Sequence, residues 1–478
     1  MRRLTGTDSL FLTIETPSWH QHVGALIVLE PGDSPVTFEA VAASMDSRLD
    51  WAPKLRWKLA TMPLGLDVPC WIDDEEFDIS RHVRRIGVPS PGGFRETAEV
   101  AGRIMSSQLD RSRPLWELWF LEGLSDGRVA TVMKYHHCLL DGISGASLAT
   151  LLMDLDPDSD GPLLPRPPVA EQKAGPAPSS VEMAVQLARR AAGGPMRVPR
   201  YLVGGARKIS SAAAEYRRGD QQQGMLRAPA TSFNKTIGPD RALSFASVPL
   251  DDVKQLKAKH DVKVNDVLLA LVAGALHTYL VETGGAPDAS LTAGVPISTR
   301  SEGDSTLDNQ VSTMFVSLGT DIADPVERLR VIQASTATGK ALSKAMSGHH
   351  IQSLGDVVSP LVLSAAVTAL YRAGLASRGG AVVNTTVSNV PGPPVPLYMC
   401  GAKVTGMFPC SIIMEGMGIN CTVISYVDRV DFGFIVDPAL VPDPWRVASG
   451  ITSALAELKE ASDLGPVTPI KTVFGGLS

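Results

Sequence analysis

The sequence predicts an α/β protein of the α+β type, built as two domains. Three observations predict it. The chain has 478 residues, enough for two substantial cores. Short runs of strand period and longer runs of helical period alternate in both halves. Between the halves, from Asp156 to Ser180, Pro157, Pro162, Pro165, Pro167, Pro168, Pro176 and Pro178 lie among Gly, Ser and Ala, the composition of an extended, poorly packed linker. The boundaries that follow are a first domain over 1–156, a linker and crossover over 157–225, and a second domain over 226–478.

Taken in order, residues 1–30 read as a loop-rich entry into a sheet, ending in an apolar strand over 25–29. A helix over 37–49 places Phe38, Val41, Ala42 and Met45 on one face. Short strands and turns follow through Pro89-Ser-Pro-Gly92, then a helix over 96–107. From Leu115 to Leu121 apolar residues occupy both faces, so this strand is central. Within it Glu117 needs a partner, and Arg111 and Arg113 are candidates. Val129–Tyr135 is the next strand. Alternation puts Thr131, Met133, Tyr135 and His137 on one face and Val132, Lys134 and His136 on the other. Asp141-Gly142 turns the chain into a helical run through Leu155.

Beyond the linker, residues 181–218 carry eight Lys/Arg against two Glu, interleaved with apolar residues. In a protein of net charge −6 this is a local basic amphipathic patch, suited either to an anionic membrane or lipid-droplet surface or to a solvated crossing between domains. The second half opens with a strand over 242–248 and a helix over 251–259. Asn265-Asp266 supplies an N-cap and an acid to a long apolar helix ending near Val281. Gly294–Arg300, a strand over 384–390 closed by Pro391-Gly392-Pro393, strands over 420–427 and 431–437, and a helix over 442–463 complete the pattern.

Composition narrows the function. The acidic balance argues against a nucleic-acid-binding body. Five cysteines (70, 138, 400, 410 and 421) form an odd set without a close CxxC pair, as expected of reduced thiols in the cytoplasm. Asp8 and Glu15 interrupt any leader begun by Met1-Arg2-Arg3, and no transmembrane span is evident. No nucleophile elbow, Walker loop or dinucleotide fingerprint occurs, which favours direct transfer over an acyl-serine route.

The chemistry concentrates in His136-His137-Cys-Leu-Leu-Asp141-Gly142, where a strand hands over to a loop. A histidine near its ordinary pKa takes a proton from an alcohol at neutral pH and returns it. Asp141 can fix the loop through an arginine or hold an imidazole nitrogen, and Gly142 permits the tight turn. The plainer reading makes both histidines strand-end residues and Asp141 a helix cap. No metal is expected, since no further His/Cys/Asp cluster stands at ligand spacing.

This stretch resembles the His-His-x-x-x-Asp-Gly signature of the bacterial wax ester synthase/diacylglycerol acyltransferase family, within the chloramphenicol acetyltransferase-like acyltransferases. The signature also occurs in condensation domains of peptide synthetases. Further landmarks stand in family order: Asp8, Phe11-Leu12, Glu15 and His22-Val-Gly24; Pro114-Leu-Trp-Glu117; Asn265-Asp266; Pro296-Ile-Ser298-Thr-Arg300; and Ser388-Asn389-Val-Pro-Gly-Pro393. Asp308 replaces the family's usual Gly before Asn309.

The resemblance implies two chloramphenicol acetyltransferase-like domains, each a mixed sheet flanked by helices, around a tunnel. It implies an O-acyltransferase that moves a long-chain acyl group from acyl-CoA, a substrate rather than a cofactor, to diacylglycerol or a long-chain alcohol. His137 is then the general base, with His136 and Asp141 ordering the loop. Gly142, Asn265, Ser298, Arg300, Ser388 and Asn389 contact substrate, Ser298 and Arg300 at the CoA phosphates and Ser388-Asn389 near the thioester oxygen. Rival readings are a carrier-protein thioester donor, another hydroxyl acceptor, or a lipid-droplet-binding relative without turnover.

Overall fold

Strand and helix alternate in the computed structural model, which describes residues 2–32, 34–60, 68–139, 152–159, 173–176, 182, 228–298, 311–346 and 383–470. In chain order its elements are β1 (Arg2–Arg3), α1 (Gly6–Ile14), β2 (His22–Glu30), α2 (Phe38–Arg48), β3 (Trp57–Ala60), β4 (Cys70–Asp73), β5 (Val83–Gly87), α3 (Phe94–Ser106), β6 (Trp116–Glu122) and β7 (Val129–His136). The second half adds β8 (Ala242–Pro249), α4 (Leu250–His260), α5 (Val264–Glu282), β9 (Thr292–Ser298), β10 (Val311–Ser317), α6 (Pro325–Met346), β11 (Thr385–Val390), β12 (Tyr398–Met399), β13 (Ala402–Cys410), β14 (Ile419–Tyr426), β15 (Arg429–Val436) and α7 (Pro444–Ala461).

Two mixed six-stranded sheets organise these elements, ordered β12-β13-β2-β7-β6-β5 and β10-β9-β11-β14-β15-β8, with a small β1-β4-β3 sheet beside the first. In the first sheet only β5–β6 is parallel; in the second, β11 runs parallel to both β9 and β14. The halves do not keep to themselves. β13 leaves the second half and pairs with β2, Lys403 opposite Glu30 and Cys410 opposite Gly24, while still touching β15. A Cβ on Gly433 would lie 1.9 Å from the Pro409 carbonyl oxygen, so only glycine permits this crossing.

The first sheet is buried on both faces. Ile27, Leu29, Trp116, Leu118, Phe120 and Met133 pack toward α2 and the small sheet. Leu26, Val28 and Val132 pack against Ala98, Ala101, Ile104 and Met105 of α3, and that cluster runs on into Leu243, Phe245 and Ile435 of the second sheet. The second sheet is covered by α5, α6 and α7. α5 is long and apolar enough to cross a membrane, yet most of it is buried in the fold. It is apolar all round because its neighbours are too.

Several expectations are corrected. The entry segment is not all loop: α1 forms over Gly6–Ile14, with the Thr5 hydroxyl accepting from the Asp8 N–H at 3.1 Å. Asn265 is not the N-cap of α5; Lys263 is, and the Asp266 carboxylate accepts its backbone N–H at 3.0 Å. Glu117 pairs with neither candidate arginine. It accepts from the Trp119 indole at 2.9 Å and lies 3.8 Å from Arg84 and 4.0 Å from Lys134, because β5 and β7 flank β6. Part of the proline-rich linker is packed: the Asp73 carboxylate accepts the backbone N–H groups of Ala174 and Gly175 at 2.9 and 3.0 Å. The expected helix over 143–151 and the basic patch over 183–218 lie outside the described residues.

Candidate active site

β7 stops at His136, and His137 opens a 3-10 turn over His137–Leu139. The change of conformation, more than strand alternation, separates the two histidines. His136 keeps the strand's direction, opposite His22 on β2, and is buried. His137 turns out of the strand and is half-buried, its backbone N–H donating to the Gln21 carbonyl at 2.8 Å.

Each histidine meets one residue of the N-terminal segment. Phe11 stacks on His137 with ring centroids 4.0 Å apart and planes 25° from parallel. Glu15, four residues on and so on the same helical face, lies 3.7 Å from His136 Nε2. The Cys138 backbone N–H donates to His136 Nδ1 at 3.2 Å, which places the imidazole proton on Nε2, facing the carboxylate. The Cys138 thiol also touches Nδ1, at 2.9 Å.

Charge is arranged to keep Glu15 ionised and both imidazoles neutral. Burial by itself raises the Glu15 carboxyl, but His136 and Arg111 outweigh it and hold it well below the usual carboxylate range. Arg111 donates to Glu15 Oε2 from Nη2 at 2.5 Å and from Nε at 3.2 Å. Glu15 Oε1 accepts the Gln21 N–H at 3.1 Å, so this carboxylate also braces the residue that holds the His137 backbone. Burial lowers His136, with Glu15 opposing. Burial, reinforced by His136, pulls His137 down to about 4, opposed by the hydrogen bond of the ring to its own backbone carbonyl. Cys138 is no nucleophile: burial raises its thiol well above the ordinary range.

Behind His136 lies a polar cluster. Fully buried Lys134 donates to the Ile104 carbonyl at 2.9 Å and to that of Ser107, capping α3, and burial pulls its ammonium down to about 8. His22 Nε2 donates to the Met105 carbonyl at 2.8 Å, and His20, stacked on it at 5.1 Å, donates to the Pro239 carbonyl at 3.0 Å. Both anchor the sheet end to neighbouring backbone, a structural role. Phe11, Glu15 and Arg111 were missed as site residues in the sequence; the four-residue spacing of Phe11 and Glu15 behind a Thr-x-x-Asp cap was the available signal.

In the second half Asn389, near the end of β11, donates to Asn265 on the first turn of α5 at 3.5 Å. Ser388 precedes it, and Ser298 ends the parallel neighbour β9. These residues therefore gather at the carboxyl ends of parallel strands, where open α/β sheets present ligand sites. A Cβ on Gly392 would lie 1.9 Å from the Ser425 carbonyl oxygen, so the Pro-Gly turn needs its glycine. Among the described residues no hydrogen bond joins this group to His137. Asp141, Gly142 and Arg300 lie outside the described residues.

Residues 4–268 match the family described as wax ester synthase/diacylglycerol acyltransferase catalytic domain, and residues 307–459 match the WS/DGAT C-terminal domain. The chain belongs to this family. A relative from Mycobacterium tuberculosis, provisionally named diacylglycerol O-acyltransferase, is 34% identical over 98% of this chain and 92% of its own length. A second from the same species, likewise named, is 35% identical over 96% of this chain and 99% of its own. The solved wax ester synthase/diacylglycerol acyltransferase from Marinobacter aquaeolei VT8 superposes with TM-score 0.69 at 28% identity, covering 97% of this chain and 100% of that one. The starter condensation domain of rhizomide synthetase shares the fold alone, with TM-score 0.55 at 12% identity. The two-domain chloramphenicol acetyltransferase-like architecture expected from the sequence is thus the architecture of this WS/DGAT chain.

Proposed function

We propose that this chain transfers a long-chain acyl group from acyl-CoA to the hydroxyl of diacylglycerol or a long-chain alcohol, yielding triacylglycerol or wax ester. The observation that carries the reading is a neutral, half-buried imidazole turned out of its strand, in a chain of the WS/DGAT family. His137 takes the acceptor's hydroxyl proton as the oxygen attacks the thioester carbonyl. The tetrahedral intermediate collapses, the C–S bond breaks, and the imidazolium returns the proton to the CoA thiolate. Ester and free CoA leave. His136 holds the turn through the Cys138 N–H and does not touch substrate. Asp141 and Gly142 shape the loop. Ser388 and Asn389, with Asn265, offer donors to the developing oxyanion, and Ser298 and Arg300 take the CoA phosphates. Acyl-CoA and acceptor reach His137 from opposite faces of a tunnel between the sheets. The enzyme works in the cytoplasm, resting peripherally on a membrane or lipid droplet through the basic patch at 181–218.

Thiol release from palmitoyl-CoA, followed with dioleoylglycerol, hexadecanol or no acceptor and with lipid products identified by mass spectrometry, tests the chemistry. Acceptor-dependent release should fall by at least about 10³-fold in His137→Ala. Equal release from both proteins sinks the proposal. With burial pulling His137 down to about 4 in the free enzyme, kcat/KM should stay flat from about pH 6 to 8 and decline only on the acid side.

A further inference from the structure

We infer that Arg241 is a positioning residue for this reaction, pinning the N-terminal loop that holds His137 to the entry of the second sheet, a role that rests on the reading of His137 as the base.

The proposed chemistry draws on both halves. The base stands just past the end of β7, and the donors to the oxyanion stand on β11 and α5. These groups must keep their spacing during attack, since a displacement of about 1 Å can cost roughly 100-fold in rate. The base is held from the N-terminal segment, through the bond of its backbone N–H to the Gln21 carbonyl. That segment is pinched into a loop. The Glu15 carboxylate accepts the Gln21 N–H at 3.1 Å, and Thr16 and Trp19 exchange two backbone hydrogen bonds of 3.2 Å. Ser18 lies between them, and its carbonyl accepts from Arg241 Nη2.

Arg241 is 223 residues away from Ser18 in the chain and stands one residue before β8. Its Nη1 donates to the carbonyls of Gly238 and Asp240, at 2.7 Å each. Gly238 in turn donates its N–H to the Asp437 carboxylate at 2.6 Å, one residue past β15. One guanidinium therefore joins the loop behind the base to the β8–β15 edge of the second sheet. The planar fork suits this task, because its donors point at fixed angles to acceptors from two segments, which an ammonium cannot reproduce. Burial pulls the group down to about 10, so it stays cationic at neutral pH. A parallel tie comes from His20, whose Nε2 donates to the Pro239 carbonyl at 3.0 Å. From the other side α3 closes on the same residue. The Arg241 N–H donates to the Ser106 hydroxyl at 2.8 Å, and a Cβ on Gly102 would lie 2.8 Å from the Arg241 carbonyl oxygen. The backbone of Arg241 is thus fixed, and its side chain carries that placement to the loop.

A buried cation with a different neighbourhood supplies the control: Lys459 on α7 pairs with Asp252 on α4 at 2.6 Å. The test compares Arg241→Met, Arg241→Lys, Lys459→Gln and His137→Ala in the thiol-release assay, well below the melting point of each protein. Arg241→Met should lower kcat about 10- to 100-fold, with both KM values within about two-fold of wild type. Arg241→Lys, reaching one of the two segments, should fall at least about three-fold in kcat while retaining more than the methionine variant. Lys459→Gln should lose melting temperature yet keep kcat within about two-fold. Wild-type kcat in a folded Arg241→Lys or Arg241→Met protein, an effect on KM alone, or an equal fall of kcat in Lys459→Gln overturns the inference. Turnover retained by His137→Ala overturns the base reading and this inference with it. Turnover lost in His137→Ala but intact in both Arg241 variants overturns this inference alone.

Discussion

Among single residues, Glu15 joins the most partners around the histidine turn. Its carboxylate takes Arg111 and the Gln21 N–H, and it faces the protonated nitrogen of His136. Because its folded-state pKa is depressed, it contributes stability that is fully present above its unfolded value near 4.5 and is lost as pH falls below it. Glu15→Gln should therefore cost about 1–2 kcal/mol at pH 7. The gap should narrow in urea titrations run below about pH 4.5. A gap unchanged between pH 7 and 3.5 would show that lost packing, rather than lost charge, explains the variant. His22 works in the same direction, in a higher pH window. Burial holds it neutral, so acidification below about 6.5 favours the unfolded chain, which takes up the proton first.

At the scale of elements, the crossing of β13 over β15 joins the halves, and Asp431 sits in it. Its carboxylate accepts the Met407 N–H at 2.9 Å and the Ser247 hydroxyl at 2.6 Å, in full burial. Burial lifts the carboxyl to about 6, with the two hydrogen bonds opposing. An acid raised on folding destabilises the native state progressively from its unfolded value near 3.8 up to about 6, and fully above that. Asp431→Asn keeps an acceptor for Met407 and a donor for Ser247. It should stabilise the protein by about 1–3 kcal/mol at pH 7.5, and the gain should vanish near pH 4. An asparagine variant less stable than wild type at pH 7.5 would mean that the charged form is the one this crossing requires. The buried Arg48–Asp154 pair, at 2.6 Å, ties α2 to the segment that follows the histidine loop.

For the whole molecule, a core shared between the two sheets makes the halves one packed body where α3, β8 and β13 meet. The substrates proposed are water-insoluble, whereas the chain carries a net charge of −6. If the chain rests on an anionic lipid surface as proposed, residues 181–218 are the basic region that would meet it. Changing Arg189, Arg190, Arg197 and Arg200 to Gln should weaken flotation with anionic liposomes severalfold and leave turnover of a soluble acceptor unchanged. Equal flotation would remove the membrane role from this patch.

Local chemistry made much of this legible. The strand periods at 25–29, 115–121 and 129–135 and the helical runs at 96–107 and 264–281 depend on nearby residues, and each forms close to where the pattern places it. The histidine signature and its companion landmarks identified the family because motif order survives in one dimension. What the sequence could not carry was long-range. Ala402–Cys410 is not among the strands the sequence predicts, and only packing forms β13 and puts it beside β2. Glu15 stands in the sequence as a landmark without a partner, and only folding brings Arg111, distant in sequence, onto it. Alternation alone could not place His137, because the strand ends at His136 and a 3-10 turn takes His137 out of its register. The sequence by itself determined the family, the elements and the place of the histidine pair at a strand end, since these follow from local period and motif. The tertiary structure decided partners, protonation and orientation, which depend on groups that folding alone brings together.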